Sequence, residues 1–310
     1  MPCTRPVKAY RSPNGKISLK LSDTYTDLDY SIIEVNCMRC FDCRMRHASG
    51  WTTRMVHEAS LHTHPLSHPD AGAPNNAFVT LTYDEASLPE DRGLNVRDMQ
   101  LFFKRLRRSG LTFSYLYCGE YGSLRGRPHY HVIFFGQDFS HDREYRGKNA
   151  KGFPIWHSQT LSDEWPYGFH EIGEFAPQNA AYTAQYTLKK QNDLDDPSSL
   201  FRYDADEEYG WSVLPPFVLT SKNPAIAKNW IKANWRDVYP IDRVILNGRE
   251  VRPPRFYDRW MEKHQASVWN TVKLNRWHHA EDNQPEWRRL RDREAIQTSK
   301  IKASTRDPHP

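Results

Sequence analysis

A chain of 310 residues is long enough for one large domain or two ordinary ones, and its net charge of +5, from 43 Lys and Arg against 38 Asp and Glu, leans toward an anionic partner without requiring one. No apolar run approaches the roughly 18 residues of a membrane span, and the opening MPCTRPVKAY has no signal-peptide core, so a cytoplasmic protein with no membrane partner is expected. Mean hydropathy is −0.81 while 13% of residues are aromatic, so the rings must either fill a core or stack on bases.

In chain order, the first 36 residues carry a turn signal at SPNG (12–15) with room for short strands on either side. CMRCFDC follows, placing Cys37, Cys40 and Cys43 three residues apart. Five cysteines with this clustering fit reduced thiols or a metal better than a disulfide framework. Two readings stand side by side: a zinc site with Cys3 or His47 as fourth ligand, or thiols partly buried beside the next helix. That helix is predicted over 44–62 from the spacing of Met45, Ala48, Trp51, Met55, Ala59 and His62, and the Pro-, Gly- and Asn-rich stretch 63–76 is a loop.

AFVTLTYDE reads as a strand, and NVRDMQLFFKRLRRSG as a helix whose stripe of Met99, Phe102, Phe103 and Leu106 ends at Gly110. LTFSYLYCGEYG and HYHVIFFG are two strands joined by SLRGRP, as in an antiparallel hairpin. SQTLSDEWPYG suggests a short helix capped near Ser158 or Ser162, FHEIGEF a strand, and PQNAAYTAQYTLKKQ a helix with Pro177 at an allowed early position. This order specifies an α+β fold with helices packed on a largely antiparallel sheet. A Trp-rich segment and a charged tail follow NDLDDPSS.

Positive charge concentrates at Lys104, Arg105, Arg107 and Arg108, at Arg125 and Arg127, and at RRLRDR (288–293), where it either tracks a phosphate backbone or forms solvated helix faces. The Gly-rich phosphate loop GxxxxGK is missing, so strand separation is expected from another protein.

GRPHYHVIFFG (126–136) sets His129 and His131 on one face of a strand, because alternate side chains share a face. A hairpin register with Glu120 opposite His129 also puts Cys118 opposite His131, so that a carboxylate joins two imidazoles. Two histidines and one carboxylate leave positions open for substrate oxygens, which suits Mg²⁺ or Mn²⁺ acting as a Lewis acid on phosphate. The bland alternative is a solvated Glu120 paired with Arg125 or Arg127. In AAYTAQYTLKK, Tyr182 and Tyr186 share a helix face with Lys189 or Lys190 beside them. They are either an aromatic stripe packed on the sheet or phenol nucleophiles for a phosphodiester.

FVTLTY, PHYH and YTAQYTLK, in that order, resemble the three motifs of the HUH endonucleases, the rolling-circle replication initiators and relaxases. CGEYG, GRPHYHVIFFG, VYPIDRV and RPPRFYDR, with the cysteine cluster before a HEAS helix, are similar to the initiators of microviruses of the gokushovirus branch. The resemblance implies an HUH-type nickase domain at 73–192, preceded by an N-terminal extension (1–72) and followed by a Trp-rich extension (193–270) and a tail (271–310) that is helical or disordered. It further implies His129 and His131 as metal ligands with Glu120 as third, Tyr182 and Tyr186 as nucleophiles, and Lys189 as the motif lysine. Lys190 and the arginine clusters would hold DNA.

The implied activity is a metal-dependent nick at the phage origin in the host bacterial cytoplasm, a 5′ phosphotyrosyl link and re-ligation to a circle, with a host helicase and replication machinery as partners. Competing readings are a related relaxase or transposase, a zinc hydrolase, and a non-enzymatic single-stranded DNA or RNA binder that needs neither His129 nor a tyrosine hydroxyl.

Overall fold

The structure is a computed structural model that describes residues 3–13, 16–20, 30–66, 68–122, 126–149, 152–176, 180, 184, 201–203, 210–239, 241–246, 248–282 and 287–304. Tyr182, Tyr186, Lys189, Lys190 and Arg125 lie outside the described residues. The chain divides into two compact units, residues 1–47 with 270–310, and residues 48–269.

In the larger unit a seven-stranded sheet is antiparallel throughout. Its strands are β4 (Asn76–Tyr83), β5 (Ser114–Tyr121), β6 (Pro128–Phe135), β7 (Arg143–Lys148), β8 (Pro154–Ser158), β9 (Gly168–Glu174) and β12 (Phe217–Thr220), in the order β12-β5-β6-β4-β9-β8-β7. Helix α2 (Val96–Arg108) packs on one face through Met99, Phe102, Phe103 and Leu106, the stripe read from the sequence. These residues meet Val79, Leu81 and Tyr83 of β4, Tyr117 of β5, and Tyr130, Val132 and Phe134 of β6. Asn95 starts α2, its side chain accepting from the Arg97 and Asp98 amides, and the Tyr130 hydroxyl donates to the Asn95 carbonyl. Helix α3 (Gln159–Glu164) is capped by Ser158, one of the two serines expected there.

Residues of the opposite parity, Thr80, Thr82, Cys118, Glu120, His129 and His131, therefore occupy the other face. The hairpin register is the expected one, Glu120 opposite His129 and Cys118 opposite His131. Val132 through Phe135 are all buried, as a strand covered on both faces requires. Of the helix predicted after β9, Ala180 and Ala184 are helical and buried, four residues apart on one face, and the Ala180 amide donates to the Ala176 carbonyl. The unit also holds α4 (Lys228–Val238), α5 (Arg255–His264), β10 (Phe201–Tyr203), β11 (Gly210–Ser212), and the hairpin β13 (Val244–Leu246) and β14 (Arg249–Val251). Helix α1 (Phe41–Ala59) starts three residues earlier than the expected 44–62, so that Cys43 falls in its first turn, and it ends at Ala59 rather than His62.

The smaller unit contains a three-stranded sheet of β1 (Val7–Arg11), β2 (Ile17–Ser18) and β3 (Ser31–Val35), ordered β2-β1-β3, so strands do flank the SPNG turn. Helical chain continues in α6 (Ala266–Asp282) and α7 (Trp287–Ser304). Among the described residues no helix is long and apolar enough to cross a membrane.

Candidate metal centre

The imidazole pair and the carboxylate meet as the register demands. Glu120 Oε1 lies 2.7 Å from His129 Nε2 and 2.9 Å from His131 Nε2, and the two rings stand edge to face with centroids 5.0 Å apart. Each ring is anchored through its other nitrogen. His129 Nδ1 lies 3.2 Å from the Arg127 carbonyl, which can only accept, so Nδ1 donates there while Nε2 faces Glu120. His131 Nδ1 lies 3.0 Å from Thr80 Oγ1, and Phe78 stacks on the His131 ring. Fixing one nitrogen to the backbone or a hydroxyl while the other converges on a shared point is how protein scaffolds orient metal-binding histidines.

Burial pushes the Glu120 carboxyl up, but hydrogen bonds and charge from both imidazoles outweigh it and hold it down to about 2. Glu120 is only 5% exposed. Of the alternative pairings with Arg125 or Arg127, the Arg127 one is not what the chain forms, since Arg127 donates to the Tyr83 carbonyl at 2.9 Å and pairs with Glu85, while Arg125 lies outside the described residues. Two imidazole nitrogens and one carboxylate oxygen within 4.8 Å of one another fit a divalent cation with positions to spare.

Two further groups among the described residues have metal-ligand chemistry: Cys3, Cys37, Cys40 and Cys43; and His64, His68 and Asp70. The latter comes from the loop HTHPLSHPD, whose histidine density was its only signal in the sequence. There His64 Nε2 lies 3.1 Å from Asp138 and the two rings stack, which accounts for His64 as a buried polar anchor.

The basic residues separate by role. Arg105 donates to the Glu164 carbonyl at 3.1 and 2.7 Å and ties α2 to α3. Arg107 lies over the Phe113 and Tyr115 rings, while Lys104 and Arg108 are exposed on α2, the helix on the sheet face away from the histidines. Tyr83, Tyr117 and Tyr130 belong to that same side: burial pushes all three phenols up, and the Tyr83 hydroxyl donates to Asp98 at 2.7 Å. They are core, not nucleophiles. Sequence reasoning missed Thr80 and also Phe169, which is 67% exposed on the histidine face, where β9 pairs it with Thr82 and β4 pairs Thr82 with His129. Alternation along β4, β6 and β9 together would have found it.

Fold and site together define a class, an antiparallel α+β domain with a two-histidine, one-carboxylate centre on the sheet face away from α2. Residues 76–191, which carry all of that centre, match the family described as Replication-associated protein ORF2/G2P. The chain is 30% identical to the Replication-associated protein ORF2 of Spiroplasma virus 4, over 85% of this chain and 81% of that one. It is 29% identical to the Replication-associated protein VP4 of Bdellovibrio phage phiMH2K, over 87% and 80%, and 25% identical to the Replication-associated protein ORF4 of Chlamydia phage 1, over 78% and 57%. The chain belongs to this family of phage replication-associated proteins. No solved structure matches it.

Proposed function

We propose that the chain initiates rolling-circle replication by nicking a phage origin strand in the host cytoplasm, staying on the new 5′ end through tyrosine, and later rejoining the displaced strand. The observation that carries this reading is the convergence of His129 Nε2 and His131 Nε2 on Glu120 Oε1 within the family-matched segment, which also contains Tyr182, Tyr186 and Lys189. His129, His131 and Glu120 would hold Mg²⁺ or Mn²⁺, which when bound supplies Lewis-acid polarisation of the scissile phosphate.

The rest of the chemistry is the chain's own. A phenolic oxygen of Tyr182 or Tyr186 attacks phosphorus as its proton departs, the P–O3′ bond breaks, and the leaving 3′ oxygen takes up a proton. The phosphodiester energy is kept in the phosphotyrosyl bond, so a 3′ hydroxyl can attack it in turn and regenerate the phenol. The Lys189 ammonium offsets phosphate charge and favours the phenolate. Arg125, Arg127 and Lys190 hold the strand near the cut, and Phe169, two strands from His129 and so about 10 Å away across the sheet, offers a ring on which a base can stack. Lys104, Arg107 and Arg108, on the α2 side, contact only DNA that runs beyond the nick. Unwinding comes from a host helicase.

The test is to incubate the full chain with a single-stranded origin oligonucleotide, with and without Mn²⁺, and to look for an adduct that survives denaturation. An adduct that requires Mn²⁺ and is lost in the Tyr182→Phe, Tyr186→Phe double variant supports the reading. Tight binding with no adduct under any condition leaves a non-enzymatic single-stranded DNA binder instead.

A further inference from the structure

Among the described residues of 3–47, almost nothing apolar is buried. In β1, β2 and β3 only Ala9 is buried, and Ile17 and Ile32 are 49% and 68% exposed. What is buried is sulfur: Cys3, Cys40 and Cys43 form a cluster of their own, at 7%, 6% and 3% exposure, with Cys37 packed against it. A segment this small, whose described residues bury so little apolar surface of their own to offset the entropy of ordering, ordinarily gains from a disulfide or a metal.

The four sulfurs are not disulfide-bonded. Cys3 Sγ lies 3.5 Å from Cys37 Sγ and 3.8 Å from Cys40 Sγ, and all four sulfurs lie within 4.8 Å of one another. A disulfide needs about 2.05 Å. Four thiolates at the usual Zn–S distance of about 2.3 Å define a tetrahedron whose edge is about 3.8 Å, and the two spacings from Cys3 Sγ, 3.5 and 3.8 Å, lie close to that edge. The backbone is arranged for thiolates too. The Cys37 amide donates to Cys3 Sγ at 3.3 Å and the Cys40 amide to Cys37 Sγ at 3.2 Å, while the left-handed Met38 (φ 62°) turns the chain between them. Cys40 immediately precedes α1 and Cys43 sits in its first turn, where the helix dipole favours negative charge.

We propose that Cys3, Cys37, Cys40 and Cys43 bind one structural Zn²⁺ as a closed tetrathiolate site. With four protein ligands no position is left for substrate, so this ion is separate from the one the histidine centre would hold. Its work is mechanical: it ties the chain's third residue to the loop after β3 and to the start of α1, closing a module whose sheet cannot close itself. His47, the other candidate for fourth ligand, is exposed and stands outside the sulfur group.

The full chain, purified without chelator, should carry about one zinc per chain by elemental analysis, and a mercurial that captures thiolates should release it. Replacing it with Co²⁺ should give the intense visible absorption of a tetrahedral tetrathiolate. Cys3→Ser and Cys40→Ser should each lose the metal and become sensitive to protease within residues 1–47. His47→Ala and the His129→Ala, His131→Ala double variant should keep it, which separates this site from the histidine centre. Wild-type chain that holds no zinc and gives no thiolate–cobalt absorption overturns the proposal, even where the serine variants fail to fold. Full zinc content in Cys3→Ser overturns the four-cysteine assignment.

Discussion

His129 and His131 each give one ring nitrogen to the scaffold and turn the other to Glu120, so removing either imidazole removes a proposed metal ligand without touching the backbone pairing of the sheet that carries it. His129→Ala and His131→Ala should abolish adduct formation while retaining most single-stranded DNA affinity, measured by filter binding beside the cleavage assay. A parallel loss of both would mean that the histidines bind DNA rather than act on it. For the tyrosines, either single Phe variant should still form an adduct on an oligonucleotide, but neither should sustain repeated rounds, because the first nucleophile is occupied when the origin is regenerated. One single variant without any adduct would reduce the protein to one catalytic tyrosine.

Away from the site, burial pushes His57 down to about 4, and burial with the neighbouring His157 does the same to His170. His170 Nε2 accepts from the Ser158 amide at 3.1 Å, a bond that needs the neutral ring. Unfolded histidine titrates near 6.5, so as pH falls from there through 4 the unfolded chain takes up protons that the folded chain refuses. Stability is therefore full above about 6.5 and falls across that window, by about 3 kcal/mol for each histidine. Urea midpoints between pH 7.5 and 4.5 should show the slope, and His170→Gln should flatten it.

At the level of elements, the site is a product of strand register. A one-residue slip of β5 against β6 would turn Glu120 to the α2 side and leave the histidines without a carboxylate. The same alternation puts Phe169 beside the histidine row, and Phe169→Ala should weaken single-stranded DNA binding by about 1–3 kcal/mol with the cut position unchanged. An unaltered affinity would make that ring an ordinary exposed residue. Helix α2 faces the other way, so Lys104→Glu with Arg108→Glu should reduce affinity and its salt dependence for long origin DNA, leaving the cleavage rate of a bound short oligonucleotide as it was. The elements around the site were legible in the sequence because they carry strong periodicity: β4, α2, β5, β6 and β9 all fall where alternation or the 3.6-residue stripe put them. The strands at the far edge were not. β7, REYRGK, is charged and mostly exposed and shows no alternation, and β8 is five residues long. The hairpin β13–β14 did carry a signal, Asn-Gly between VIL and REV, with Gly248 at φ 73°.

Over the whole molecule, the two candidate ion sites rest on different physics. The histidine centre sits on a sheet with Phe102, Phe103, Phe134 and Trp165 packed behind it, and backbone pairing together with the Arg127 carbonyl and Thr80 Oγ1 holds its side chains in place. Among its described residues the cysteine module has little such packing; spacing in the sequence left both zinc and free thiols open, and the observation that favours zinc, the scarcity of apolar burial around the sulfurs, exists only in three dimensions.

One pairing in the sheet carries a cost in time. β5, the strand that bears Glu120, lies between β6 and β12, and β12 comes from residues 217–220, almost a hundred residues further along the chain. On a ribosome adding 5–20 residues per second, that edge stays open for about 5–20 s after β5 and β6 have paired. An open edge is a template for other strands, so nascent or truncated chains ending before residue 217 should aggregate during synthesis, and chains extending past β12 should not. Comparing the soluble fraction of translated chains cut at 200 and at 270 measures this directly. Equal solubility would show that the edge needs no cover.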